Sequence, residues 1–101
     1  MDKRFDLNEA LKALAHPGRF EFLVWLKDPQ EGFGLSSSEA REGVSAGLFE
    51  QSGLSQSAAS AHLAVLSRAG LLSSRRIGGR VLYSRNEDNI LLLKATLETR
   101  L

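Results

Sequence analysis

Residues 53–71 read GLSQSAASAHLAVLSRAGL, and this stretch decides the fold. Ala59, Leu63 and Leu66 recur at the i, i+4, i+7 spacing of a helix with one buried stripe. Ser55 is placed to cap that helix, its side-chain oxygen accepting from the first unpaired backbone N–H groups. Gly70 stops it, so the spacing predicts a helix over about 56–69, with Leu54 and Leu71 closing its ends. Gly53 supplies a turn residue that tolerates a left-handed backbone. In front of it Val44, Leu48 and Phe49 mark a short helix ending near Ser52. Two short helices joined by a tight glycine-containing turn form a helix-turn-helix.

The face opposite Ala59, Leu63 and Leu66 is made of Gln56, Ser57, Ser60 and Ala61, with His62 alongside. Short side chains let a helix backbone come close to base edges in a DNA major groove. Gln can pair bidentately with adenine, Ser reaches bases or phosphates, and Ala can touch a thymine methyl. The bland alternative is an ordinary solvated face.

The next segment argues against blandness. Leu72–Ile77 and Arg80–Arg85 read as two strands joined by Gly78-Gly79, a two-residue hairpin loop. Arg75, Arg76 and Arg80 surround its tip, where guanidinium groups can lie along phosphates or enter the minor groove. Salt bridges to neighbouring acids would be the other use for them, and no acid is near in sequence. The net charge of +1 hides this asymmetry: residues 51–85 carry five Arg and no Asp or Glu, whereas residues 1–50 carry six basic and nine acidic side chains. A long stretch without a carboxylate suits a surface that faces a polyanion.

Working outward, Asp6-Leu7-Asn8-Glu9 has the form of a capping box, and Leu7, Leu11 and Leu14 follow at helical spacing to about Ala15. Pro17 suits the first turn of a second helix over 17–27, read as carrying Phe20, Leu23, Val24 and Leu26 inward. Asp28-Pro29 ends it. Residues 28–43 are polar and rich in Gly and Ser, a long connection with room for a turn of helix near Ser38–Arg41. Such loops are often functional, and a signal could act by ordering this one. A last helix over 87–101 places Ile90, Leu93 and Leu97 on one stripe, with Leu91, Leu92 and Leu101 beyond it. That is more apolar surface than one small core covers, which marks an interface.

The composition narrows the function. At 101 residues the chain is one domain, and 43% apolar residues suit a packed core. Without cysteine there are no disulfides or thiolate metal sites. Met1–Asp6 leads into no apolar run, and no stretch is long enough to span a membrane, so a cytoplasmic protein is expected. The two imidazoles, His16 and His62, read as capping, packing or DNA-proximal residues rather than metal ligands. No nucleophile–base–acid set emerges, so catalysis is not expected and no cofactor is implied. Trp25 and Phe33 could line an effector pocket, though core packing is the plainer use.

These residues resemble a known family. Leu11-Lys12-Ala13-Leu14-Ala15-His16-Pro17-Gly18-Arg19 looks like the junction of the first two helices in the ArsR/SmtB family of winged-helix repressors. Residues 53–63, with Val65-Leu66 and Ala69-Gly70-Leu71, are similar to that family's recognition-helix signature, where a His at the place of His62 is usual. Arg75-Arg76, Gly78, Arg80 and Tyr83 fall where its wing pattern would put them. The resemblance covers about residues 7–85. It implies an α+β, mostly helical winged helix-turn-helix and a homodimeric repressor released from DNA by an effector. The first and last helices would form the dimer interface, here through Phe5, Leu7, Leu11, Ile90, Leu93 and Leu97.

Two departures qualify it. Residues 44–48 lack the cysteines of thiolate sensors, and the last helix has Glu87, Asp88 and Glu98 but no His, so the usual transition-metal sites are missing. The 28–43 connection is also longer than most members use. The expected activity is binding of double-stranded DNA at a palindromic operator, Gln56, Ser57 and Ser60 reading bases and Arg75, Arg76 and Arg80 holding the backbone. The effector stays unassigned. A winged-helix interaction module without DNA binding and a metal-responsive repressor using His16 or carboxylates are the rival readings.

Overall fold

Asp6 opens helix α1 (Leu7–Leu14) by accepting from the Glu9 backbone N–H at 3.2 Å. Only this half of the expected capping box forms, because the Glu9 carboxylate pairs with Lys12 at 3.6 Å. The computed structural model describes residues 5–101, so the reading of Met1–Arg4 lies outside the described residues. Helix α2 (Pro17–Lys27) starts with His16 as its cap, Nδ1 accepting from the Gly18 N–H at 3.0 Å, and with Pro17 in the first turn. Arg19 binds the two helices together. Its guanidinium donates to the Ala13 and Lys12 carbonyls at 2.6 and 3.2 Å, in the last turn of α1 where the Lys12 carbonyl also accepts from the Ala15 N–H.

Helix α2 buries Phe22, Leu23 and Leu26, while Phe20 and Val24 stay 51% and 45% exposed. The inward assignment of Phe20 and Val24 is therefore corrected. Phe22 takes the place facing the core, and residues 20 and 24 share the neighbouring stripe one helical turn apart.

The 28–43 segment is not an open connection. Asp28 ends α2 and also caps α3 (Pro29–Phe33), accepting from the Glu31 N–H. Ser36 and Glu39 form a complete capping box for α4 (Ser37–Glu42), at 3.2 and 2.9 Å. A chain of aromatic contacts docks the segment: Phe33 meets Trp25 edge-on at 5.8 Å and Phe49 at 5.0 Å, and Phe22 meets Phe49 at 4.7 Å. Trp25 and Phe33 are packing residues. Gln51 adds a 2.8 Å hydrogen bond to the Gly32 carbonyl.

Val44 does not begin a helix. Val44–Ser45 is a short strand, β1, and the turn of helix that follows is a 3-10 helix over Ala46–Ser52. Then come α5 (Gln56–Arg68), β2 (Leu72–Ile77), β3 (Arg80–Arg85) and α6 (Glu87–Arg100). The hairpin has the expected bounds, with Ile77 opposite Arg80, and β1 adds a third antiparallel strand by pairing Val44 with Tyr83. The sheet order is β1-β3-β2. Ala59, Leu63 and Leu66 of α5 enter one core with Ala10, Ala13, Phe22, Leu26, Phe49, Leu71 and Leu72. Among the described residues no helix is long and apolar enough to cross a membrane.

Helix α6 changes one expectation. Ile90 and Leu93 are buried in the protomer's own core, so they are not open to a second chain. They sit three residues apart on the stripe that docks the helix. Leu91 and Leu92 are left outside, 61% and 47% exposed.

A Cβ on Gly32 would lie 2.5 Å from the Trp25 carbonyl oxygen, whereas one on Gly47 would meet nothing within 4 Å. Gly32→Ala should therefore cost about 1–3 kcal/mol by pushing α3 off α2, and Gly47→Ala should stay within about 0.5 kcal/mol. Urea unfolding of the two variants gives the comparison; equal costs would show that α3 is not docked at Gly32.

Candidate nucleic-acid interface

Helix α5 sits at the surface by its outer side only. Gly53, at φ 87°, ends the 3-10 helix in the left-handed region, and Ser55 caps α5 by accepting from the Ala58 N–H at 3.2 Å. The turn is thus fixed by one glycine and one hydroxyl, and it aims the first turn of α5 outward. Gln56, Ser57, Ser60 and Ala61 are all exposed, and with Ala64 they make a face of short side chains free of any acid.

His62 does not join that face. It lies three residues after Ala59 and four before Leu66, so helical geometry turns it toward the core edge. Its ring is half-buried against His16, 4.5 Å away between centroids, and the edge of Phe22 at 5.8 Å. Of the two uses expected for it, packing or DNA proximity, the ring contacts show packing between α5 and α2. Burial lowers its pKa, and the nearby His16 and Arg19 charges lower it further. Glu21 lines the same cleft.

The five arginines of the acid-free stretch divide by use. Arg85 is drawn into the body, donating to the Leu23 carbonyl at 3.2 Å and pairing with Glu87 at 2.9 Å. Arg75 reaches back to the Glu42 carbonyl, 3.0 and 3.2 Å from two of its nitrogens. That carbonyl lies at the C-terminal end of α4, where acceptors lack helical partners and a cation is favoured. Arg75 thus forms a latch between wing and α4. Arg76 and Arg80 have neither an ion pair nor a hydrogen bond among the described residues. Strand alternation puts them on opposite faces of the hairpin, Arg76 with Ser74 and Tyr83, Arg80 with Leu82. Arg68, exposed in the last turn of α5, completes the set.

The end of α5 is tied to the start of α6. Asn89 donates to the Gly70 carbonyl at 2.9 Å, and the Asn86 N–H donates to Leu71 at 3.0 Å. The exposed helix and the C-terminal helix therefore hold a fixed relation. Among the described residues no group of three or more His, Asp or Glu side chains could hold a metal ion.

A 3-10 helix, a glycine turn, an exposed helix and an arginine-tipped hairpin define a winged helix-turn-helix protein. Comparison with known proteins agrees. The HTH-type transcriptional regulator YbzH of Bacillus subtilis is 35% identical over 97 residues, covering 92% of this chain and 96% of the relative. The HTH-type transcriptional regulator YgaV of Escherichia coli is 37% identical over 89 residues, covering 87% of this chain and 78% of the relative. Among solved structures, Rv0081 of M. tuberculosis superposes with a TM-score of 0.61 at 30% identity, over 91% of this chain and 82% of that one. The transcriptional regulator HlyU of Vibrio vulnificus gives 0.57 at 29%, over 92% and 85%. No family model matches the chain. The chain belongs to the HTH-type transcriptional regulators.

The His62 environment has a measurable consequence. Its pKa in the folded chain lies below the ordinary 6.5, so below that pH the unfolded chain binds more protons than the folded one. Stability should be fully present above pH 6.5 and should fall as the pH drops through 6.5 toward the folded value. Urea midpoints at neutral and mildly acidic pH should separate more for the native chain than for His62→Gln. Equal separation would mean that His62 is fully solvated.

Proposed function

We propose that this regulator is an ArsR/SmtB-type repressor that binds double-stranded DNA as a homodimer on a palindromic operator and so occludes a promoter. One observation carries the reading: the stretch 51–85, which holds no acid, presents the short exposed side chains of α5 and then two hairpin arginines that have no ion pair or hydrogen bond among the described residues, Glu39 and Glu42 lining a pocket on the Arg80 side. Gln56, Ser57 and Ser60 would read base edges, with Ala61 against thymine methyls. Arg76 and Arg80, pointing to opposite sides of the wing, would grip backbone on both sides of the minor groove. Arg75 would hold the wing at its angle, and His62 would hold α5.

The second copy would cover the outer apolar faces of α1 and α6. Leu11, Leu91, Leu92 and Leu101 are exposed there, and a groove between the helices is lined by Leu7, Leu97 and Arg100. Phe5, just before α1, is partly buried against the protomer's own core. A two-fold contact at this place would set two copies of α5 about 34–36 Å apart, one turn of DNA. A chain without cysteine, and with no cluster of metal ligands among its described residues, would take its signal from something other than a thiolate-bound metal.

Gel shifts at several salt concentrations test the DNA reading. Arg76→Ala and Arg80→Ala should each weaken binding alike on all sequences and flatten the salt dependence by about one unit of slope. Gln56→Ala should cost about 1–3 kcal/mol at one base pair of each half-site and leave the slope alone. Unchanged slopes together with unchanged sequence preference would favour an interaction module that has lost DNA binding. For assembly, Leu92→Glu should turn a dimer in sedimentation at about micromolar concentration into a folded monomer. A native chain that is already monomeric there contradicts the assembly.

A further inference from the structure

We propose that the cleft between α2 and α6 is a binding site for a free amphipathic carboxylate with an aliphatic tail. The cleft has a volume of about 390 Å³, within the range of small-molecule pockets. Its walls are apolar, built from Phe20, Leu23 and Val24 of α2 and from Ile90 and Leu93 of α6. The exposure of Phe20 and Val24 has no use in the protomer's own packing, and an occupant would remove that surface from water.

The cationic groups at the cleft give the occupant its charge. Lys27 comes from the last turn of α2 and Lys94 from the middle of α6, so the two ammonium groups come from opposite walls. Neither has an ion-pair or hydrogen-bond partner among the described residues. Arg85 also lines the cleft but is spent on Glu87 and the Leu23 carbonyl. No carboxylate lines it. Lysine stems can cover apolar wall while their heads gather one compact anion at the mouth. An alkyl tail suits apolar walls around a space of this volume.

The site also bears on the rest of the molecule. The same α2 carries His16 against His62 of α5, and α6 is tied to the turn after α5 through Asn89. An occupant that spreads α2 from α6 would shift the recognition helices of the proposed dimer. This consequence rests on the proposed DNA-binding function; the existence of the site does not.

Calorimetric titration of the full chain with sodium decanoate below its micelle concentration tests the proposal without DNA. Decanoate should bind saturably, one per chain, and decylammonium about tenfold more weakly or less still. The double variant Lys27→Gln/Lys94→Gln should remove that preference, and Val24→Trp should abolish decanoate binding while leaving sedimentation unchanged. Equal affinity for the two amphiphiles, saturable binding that survives Val24→Trp, or no saturation at all would overturn the site. A change of oligomeric state in Val24→Trp would overturn it too, because the cleft would then be covered by a second copy. If decanoate binds as expected and operator affinity does not respond, the site stands and only its regulatory consequence falls. If the chain binds decanoate but no DNA, the failure belongs to the proposed function alone.

Discussion

A single helix, α5, must serve the core with one stripe and the solvent with the other, and the surrounding elements are arranged around that demand. Leu63 and Leu66 are fully buried, each contributing about 1.5–3 kcal/mol of apolar burial. Ala59 is small enough to let α5 settle closely among α1, α2 and β2. With that side fixed, the exposed residues have no freedom to slide or roll. Gln56, Ser57 and Ser60 are rigidly displayed even though none of them is buried. Preorganisation of this kind lets short side chains discriminate, since the helix does not have to be ordered when its partner arrives.

A second regularity concerns where the cations go. Arg19, Arg75 and Arg85 each donate to backbone carbonyls, at the ends of α1 and α4 and within α2. Each ties one element to another, Arg19 across neighbouring helices and Arg75 and Arg85 across long stretches of chain. Of the wing's arginines, Arg76 and Arg80 are left without an ion pair or hydrogen bond among the described residues. The basic surface is therefore smaller than the charge of the sequence suggests but better aimed, because the latching arginines hold the wing that the free ones tip.

How much could be read beforehand follows from how local each signal was. Helix α5 and the hairpin were legible because their spacing, cap and glycines all lie within a few residues and agree. Between Asp28 and Gly43 the sequence reading offers only a turn of helix near Ser38–Arg41, which is α4, and misses α3, although both caps stand in the sequence. Asp28-Pro29 was taken only as an ending, while it also begins α3, and Ser36-x-x-Glu39 was submerged in a polar run. Strand β1 has two residues, too few to alternate, and exists only because β3 offers it an edge. The inward and outward sides of α2 and α6 were confused for another reason. Both helices spread their apolar residues round the axis instead of gathering them on one face, so the pattern cannot choose between Phe20 and Phe22, or between Ile90 and Leu91, until the partner surfaces are known. Among the site residues, Gln56, Ser57, Ser60 and Ala61 follow from periodicity alone. The diversion of Arg75 to Glu42 depends on a contact 33 residues away.

The central claim is that α5 lies in the major groove with the wing beside it. Because the native chain has no cysteine, a single Ser60→Cys or Ile77→Cys variant carries an iron chelate at one known place. Cleavage of an operator fragment by the Ser60 conjugate should fall in two clusters about one helical turn apart, one per half-site. Cleavage by the Ile77 conjugate, at the wing tip, should flank them on the outside. Scattered cleavage from both positions, or stronger cleavage from a chelate placed at Glu31 in α3, would contradict the account.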